Sequence, residues 1–257
     1  EYSILLLNTS FIELSSTIAF FLINCRLFVH NATAISISEG PCAIISDDFC
    51  MIVTCFYHIN MIHSNYIIAL SFWYRKRVLR EKGDFGKYRL QLIILLLFVP
   101  HLFHIALAAH SASPREILEP IVESFYGPNS TVGYGLHGTI DGMEFEPAVV
   151  LAYLVFVPVY SNSYIIYGRK TLLAMMRDKM RHMSTKTRGI HESLTKVLTI
   201  SAASSSVLSP LFIIGSVIAQ VGFRLHSVDI EGLVYHGAVM PALVNPALTL
   251  YFVKTYR

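Results

Sequence analysis

The feature that most constrains this chain is a series of long apolar stretches, set apart by short polar segments, along its 257 residues. A bilayer core about 30 Å thick takes roughly 20 largely apolar residues per helical span. Six stretches reach that length, at about residues 2–28, 43–73, 90–109, 148–167, 197–221 and 232–253. Runs such as 92–99 and 207–221 are apolar on every face, so the alternation of a transmembrane β-barrel is missing and helices are the spanning element. Composition agrees: 14% of residues are charged, against about 25% in a soluble domain, and the mean hydropathy is +0.54. The fold expected is an all-α membrane protein, one domain over residues 1–257 with six transmembrane helices.

Charge sorts the connecting segments into two sides. Seven Lys and Arg residues lie between positions 74 and 89, eight between 168 and 196, and two in the tail, which makes 17 of the 20 in the chain. The other segments carry one each, Arg26, Arg115 and Arg224, among acids that include Glu39, Glu116, Glu119, Glu123, Asp141, Asp229 and Glu231. By the positive-inside rule the first set is cytoplasmic and the second external. The glycosylation patterns Asn31-Ala32-Thr33 and Asn129-Ser130-Thr131 fall in the external set, an independent sign of the same sidedness. A third match, Asn8-Thr9-Ser10, sits inside the first span, out of reach of a glycosylating enzyme. With six spans and a cytoplasmic C-terminus, Glu1 is expected inside too. A seven-span protein that has lost its first helix has this pattern, as do six-span transporters and channels with both ends inside.

Four cysteines, Cys25, Cys42, Cys50 and Cys55, lie in the first quarter. Cys25 and Cys42 share a membrane surface, which leaves either a bridge between them or a set of buried small hydrophobes. Prolines punctuate the last four spans: Pro100, Pro158, Pro210, Pro241 and Pro246. Each removes a backbone hydrogen bond and bends its helix, so the bundle either has built-in bending points or carries ordinary membrane prolines.

The segment from Asn245-Pro246 through Tyr251 to Arg257 resembles the seventh-helix ending of nematode serpentine chemoreceptors. Ser71-Phe72-Trp73-Tyr74-Arg75 resembles the inner end of their third helix, Gly40-Pro41-Cys42 its outer start, and Tyr2–Asn8 the opening of their second. Taken together these segments are similar to serpentine receptor class delta, over the whole chain from the second helix to the end of the seventh. The resemblance implies a seven-helix G-protein-coupled receptor of a chemosensory neuron, in the plasma membrane and its sensory cilia, here without the first helix. It also implies a small-molecule ligand from outside and a heterotrimeric G protein inside. Residues matching its switch elements are Tyr74, Arg75, Asn245, Pro246, Tyr251, Pro210 and Glu13. The pattern departs from rhodopsin-like receptors: no acid precedes Tyr74-Arg75, Tyr251 follows Pro246 by five residues, and the long outer loop has no cysteine.

The residues themselves narrow the candidates. Glu13 is a carboxylate near a helix centre, where insertion costs about 2.5–3.5 kcal/mol, so it faces the bundle interior as a structural acid or as a switch. Tyr57 and Arg75 are 18 residues, or five turns, apart and project from one face of the second span together with Asn60, Ser64 and Ser71. Polar residues in membrane helices turn toward the bundle. Arg75 is then either the inner end of this stripe or one of seven basic residues marking the cytoplasmic border. The outer aromatics Phe49, Phe56 and Tyr57, with Asn60, are candidate ligand contacts or packing residues. His101 and His104, three apart, lack a third ligand at zinc spacing and read as interhelical hydrogen-bonding groups.

No cofactor or metal is expected. The chain has no H-E-x-x-H, G-x-S-x-G or phosphate-cradling glycine loop, so no enzyme is signalled. The basic loops fit anionic inner-leaflet lipids as partners rather than nucleic acid. Two functions compete: a chemosensory receptor working by population shift, and a six-span transporter or channel, for which internal repeats and further midplane charges would be expected.

Overall fold

The computed structural model of the chain describes residues 2–80, 86–142, 144–179, 189, 195–196, 198–203 and 209–253. Helix α1, Tyr2–Ile23, exposes Leu7, Phe11, Leu14, Ile18 and Phe21 at steps of three and four, its lipid-facing stripe. Its other face buries Leu5, Ile12, Glu13, Ser16 and Ala19. Helix α2, Asp47–Leu79, starts with Ser46 Oγ accepting the Phe49 N–H at 3.1 Å and two aspartates in its first turn, and ends on Lys76 and Arg77. Both ends complement the helix dipole.

Helix α2 is the centre of the bundle and packs against α1 and against the later helices α4 (Val99–His110) and α6 (Phe145–Lys179). Among the described residues three helical stretches are long and apolar enough to cross a membrane, Ile4–Ile23, Lys87–His110 and Phe145–Arg177, with Leu211–Gly222 a shorter apolar one. That α2 is not among them has a physical cause. It buries Thr54, Asn60, His63, Asn65, Ser71 and Arg75, polar groups that lower its hydropathy and that its neighbours shelter from lipid.

The expected span at 90–109 is two helices, α3 (Lys87–Leu96) and α4 (Val99–His110), broken just ahead of Pro100 where the ring cannot continue the ladder. Helix α5, Arg115–Tyr126, lies across the outer end. Helix α6, Phe145–Lys179, runs through Pro158, and Ser161 Oγ caps the carbonyls of Val157 and Pro158 at 2.9 and 3.0 Å. Helix α7, Ser209–Val217, widens into a π turn at Ile218–Gly222, and α8 covers Val228–Val253. Part of the stretch expected to span at 197–221 lies outside the described residues.

The chain is mostly helical but not all helix. A three-stranded antiparallel sheet, β1 (Cys25–His30), β2 (Thr33–Ser38) and β3 (Gly135–Thr139), sits at the outer end in the order β1-β2-β3. The helix expected over residues 2–28 therefore stops at Ile23. Asn24 takes the left-handed conformation at φ 33°, and Cys25–Phe28, an apolar run too short to favour either form alone, becomes a strand. Asn31, at φ 53°, makes the β1–β2 turn.

The sheet's two faces differ. Phe28, Ile35, Ile37 and Leu136 pack under Leu118 and Val122 of α5. The cross-strand partners Ser36 and His137, and Ser38 and Gly135, share the other face, which looks into the bundle. A Cβ on Gly135 would lie 2.6 Å from Cys50 Sγ, so only glycine lets β3 pass this close to α2.

Candidate functional site

The interior polar groups form layers along the bundle axis. At the outer end Tyr57 donates to the Tyr235 carbonyl at 3.1 Å, and Tyr235 shares a 3.0 Å hydrogen bond with Ser36 Oγ. His58 stacks on Tyr235 with ring centres 5.7 Å apart. One layer down, Asn245 Nδ2 donates to Glu13 Oε1 at 2.7 Å and Asn60 Nδ2 donates to Ser15 Oγ at 3.2 Å. Glu13 and Asn245 are 5% and 2% exposed, so the pair tying α1 to α8 is closed to lipid and water alike. Beside it His101 joins three helices, 3.3 Å from His63 Nδ1 and 2.6 Å from the Tyr153 hydroxyl. At the inner end Arg75, 7% exposed, donates to Thr195 Oγ1 at 3.1 Å, and Thr195 donates to Met176 Sδ at 3.4 Å.

The outer cap is held by charge. Arg26 of β1 donates to Glu39 at 2.9 Å and to the fully buried Glu231 at 2.7 Å, and its guanidinium lies over the Tyr126 ring. Burial opposes the charge on Arg26, but Glu231, Tyr126 and Glu39 offset this and hold its pKa above the ordinary value. The Tyr126 hydroxyl donates to Glu231. Arg115 pairs with Asp47 at 3.1 Å, and Gln220 in the π turn bonds the backbone of Leu27 and Val29. Segments that charge alone puts outside thus converge on one cap. His137, buried on β3, is pushed down to about 4 by burial, with Asp47 pulling the other way.

The disulfide joins Cys42 to Cys50, and Cys25 is a buried free thiol. A Cys25–Cys42 bridge is thereby ruled out, because Cys25 turns to Tyr235 and Ser38 under the sheet while the first turns of α2 bring Cys50 to Cys42, Cα atoms 5.1 Å apart. Among the described residues no group of three His, Cys, Asp or Glu side chains is arranged to hold a metal.

All of residues 1–257 match the family described as serpentine type 7TM GPCR chemoreceptor Srd. The chain belongs to that family. It is 28% identical to serpentine receptor class delta-18 of Caenorhabditis elegans over 235 residues, 88% of this chain and 67% of that protein. To serpentine receptor class delta-3 it is 27% identical, over the whole of this chain and 76% of that one. No solved structure matches it.

In this Srd chain the stripe expected on one face of α2 does face inward: Tyr57, Asn60, Ser71 and Arg75 are buried and Ser64 is half-buried. Tyr74 is buried against Leu5, Ile12 and Leu90. Phe56 is 39% exposed, one residue and 100° around the helix from the buried Tyr57. Phe49 is half-buried against the Cys42–Cys50 cluster. Asn31 and Asn129 are exposed at turns with positive φ, whereas Thr131 of the second acceptor pattern is buried and donates to Glu119 at 2.5 Å. The side chains of Pro210, Pro246 and Tyr251 lie outside those described. A groove of about 480 Å³ runs between the outer ends of α1 and α8, lined by Phe20, Phe21, Glu39 and Val239 among others, and none of the expected ligand residues lines it.

Sequence reasoning missed the sheet, the Arg26–Glu231 pair and the part played by His137. One signal was available, the Ile35-Ser36-Ile37-Ser38 alternation that marks a strand with two different faces.

Proposed function

We propose that this Srd chain binds a small-molecule chemical cue from outside and passes the signal to a heterotrimeric G protein at the inner face of the plasma membrane. Conformational coupling is its chemistry: a ligand that binds one arrangement of the helices more tightly shifts the population toward it. The observation that carries this reading is the buried polar axis. It runs from Tyr57 through Asn60 and the Glu13–Asn245 bond to Arg75 at the inner end. Such groups are costly in a membrane and hold helices in one relative position, so an axis of them is an element that ligand and G protein can both bias. Pro210, Pro246 and Tyr251 are the bending and inner-end residues of the same mechanism, and Tyr74 packs beside the switch at Arg75.

The test compares Arg75→Ala with Arg77→Ala at equal surface abundance in a G-protein reporter cell. Arg75 is buried and bonded to Thr195, whereas Arg77, about 200° around the helix, lies over the Trp73 ring. Signalling is expected to fall with the first change and stay near normal with the second. Equal effects would return Arg75 to a marker of the cytoplasmic border.

A further inference from the structure

The sheet turns its polar face inward, which reverses the usual arrangement in which a sheet packs its apolar face on the core. Here the apolar face is covered by α5 and the polar face roofs the helices. Beneath that roof several buried polar atoms have no hydrogen-bond partner among the described residues: Thr54 Oγ1, His104 Nδ1 and both ring nitrogens of His137. Their residues are 3%, 3% and 8% exposed. Buried polar groups are as a rule partnered, because stripping them of water is costly unless something replaces it.

These atoms converge on one place. Thr54 is one helical turn from His58, His137 is the cross-strand partner of the Ser36 that bonds Tyr235, Tyr235 stacks on His58, and His104 lies within electrostatic reach of the same ring. His58 itself is half-buried, so part of its surface is left uncovered by protein. Two aromatic walls flank the place: Tyr235 stacked on His58, and Tyr153 stacked on His104 with centres 4.9 Å apart. The charge that bears on His137, Asp47, is already matched by Arg115 and by the Leu136 N–H. The recess therefore offers hydrogen-bond donors, acceptors and ring faces, and among the described residues no unmatched charge to pair with an ion.

We infer that this recess under the sheet, held by Thr54, His58, His104 and His137, binds a small uncharged molecule bearing hydrogen-bonding groups. The inference rests on the reading of the chain as a ligand-activated receptor and gives that ligand a site and a chemical class. Neutral imidazoles both donate and accept, so hydroxyl and carbonyl groups suit them equally. A carboxylate or an amine would be stripped of water with no counter-charge in return.

The test uses diethyl pyrocarbonate, a small uncharged reagent that acylates accessible neutral imidazoles, on the full chain in membranes, read histidine by histidine by mass spectrometry. His58, His104 and His137 are expected to react at least about tenfold faster than His63 and His101, which are bonded to each other, a contrast set by the free-energy worth of one satisfied hydrogen bond. Thr54→Phe fills the recess and is expected to abolish the difference, while Thr54→Val, which keeps the shape and so the fold, preserves it. Rates as slow as those of His63 and His101 in the native chain would overturn the proposal. In the second arm a size-matched set of alcohols, ketones, lactones, carboxylates and amines competes with the reagent. Protection by uncharged members, weakened up to about tenfold in Thr54→Val, supports the site. Protection by none of them, or only by the ions, sinks it. Protection without any G-protein response in reporter cells would leave the site standing and count against the receptor reading instead.

Discussion

Two layers of the same interior treat their polar groups in opposite ways. At mid-bundle Glu13 is bonded to Asn245, Asn60 to Ser15, and His101 to both His63 and Tyr153. Just below the sheet, Thr54, His104 and His137 hold polar atoms without a hydrogen-bond partner among the described residues. The bonded pairs of the lower layer are closed by the protein on its own and fix how α1, α2, α4, α6 and α8 sit, while Ser16 Oγ and Asn65 Oδ1 are exceptions below the sheet. The upper layer has a deficit that an outside molecule can fill. Two layers so different suit two tasks: one responds to a ligand, and the other has an arrangement that can be shifted.

The largest effect is expected where a satisfied partner is removed. Asn245→Ala leaves the Glu13 carboxyl buried without its amide and should lower the stability of the detergent-solubilised chain by about 1–3 kcal/mol, read from thermal unfolding. Glu13→Gln, which keeps most of the hydrogen bonding, should insert normally and cost less while altering basal signalling. If Asn245→Ala unfolds at the native temperature, the lower layer is not the closed one.

A second, intermediate effect comes from pH. In the folded chain His137 holds its proton only below about 4, against 6.5 for an ordinary histidine. The unfolded chain therefore takes up the proton first as the pH falls. The neutral ring's contribution is complete above 6.5, declines through the window down to about 4, and does not fall further below it. The slope is about 1 kcal/mol per pH unit within that window. His137→Gln should remove this share of the acid sensitivity, although Asp47 on α2 and His58 also face the site. Identical acid profiles for the two chains would show that His137 is not held neutral.

The smallest effect has the opposite sign. Thr54→Val replaces a buried hydroxyl that has no partner by a methyl of the same shape, so stability should hold or rise, by less than about 1 kcal/mol. A clear loss in thermal unfolding would mean that Thr54 is satisfied after all, and the contrast between the layers would weaken.

Much of this architecture is local and one-dimensional. The transfer energy of 20 apolar residues is a property of the stretch itself, so the helices can be read from composition along the chain. The sidedness of Arg26, Arg115 and Glu231 follows from where the basic residues cluster. The inward face of α2, with Tyr57, Asn60, Ser71 and Arg75, needs only the 3.6-residue turn. Glu13 is conspicuous for the same reason, as a charge where charge is costly.

What the tertiary structure alone decided depends on residues far apart in sequence. β3 lies about 100 residues beyond β2 yet completes its sheet, and only that pairing sets His137 beside the Ser36 that bonds Tyr235. Arg26 and Glu231 are 205 residues apart and become a buried pair because β1 lies against the start of α8. The partner of Cys42 is the short-range exception: Cys50, eight residues on, is chosen over Cys25 by the first turn of α2, which no count of cysteines contains. A helix in a membrane satisfies its own backbone and so announces itself. A strand, an ion pair and a disulfide exist only where another part of the chain has arrived, and that is settled in three dimensions.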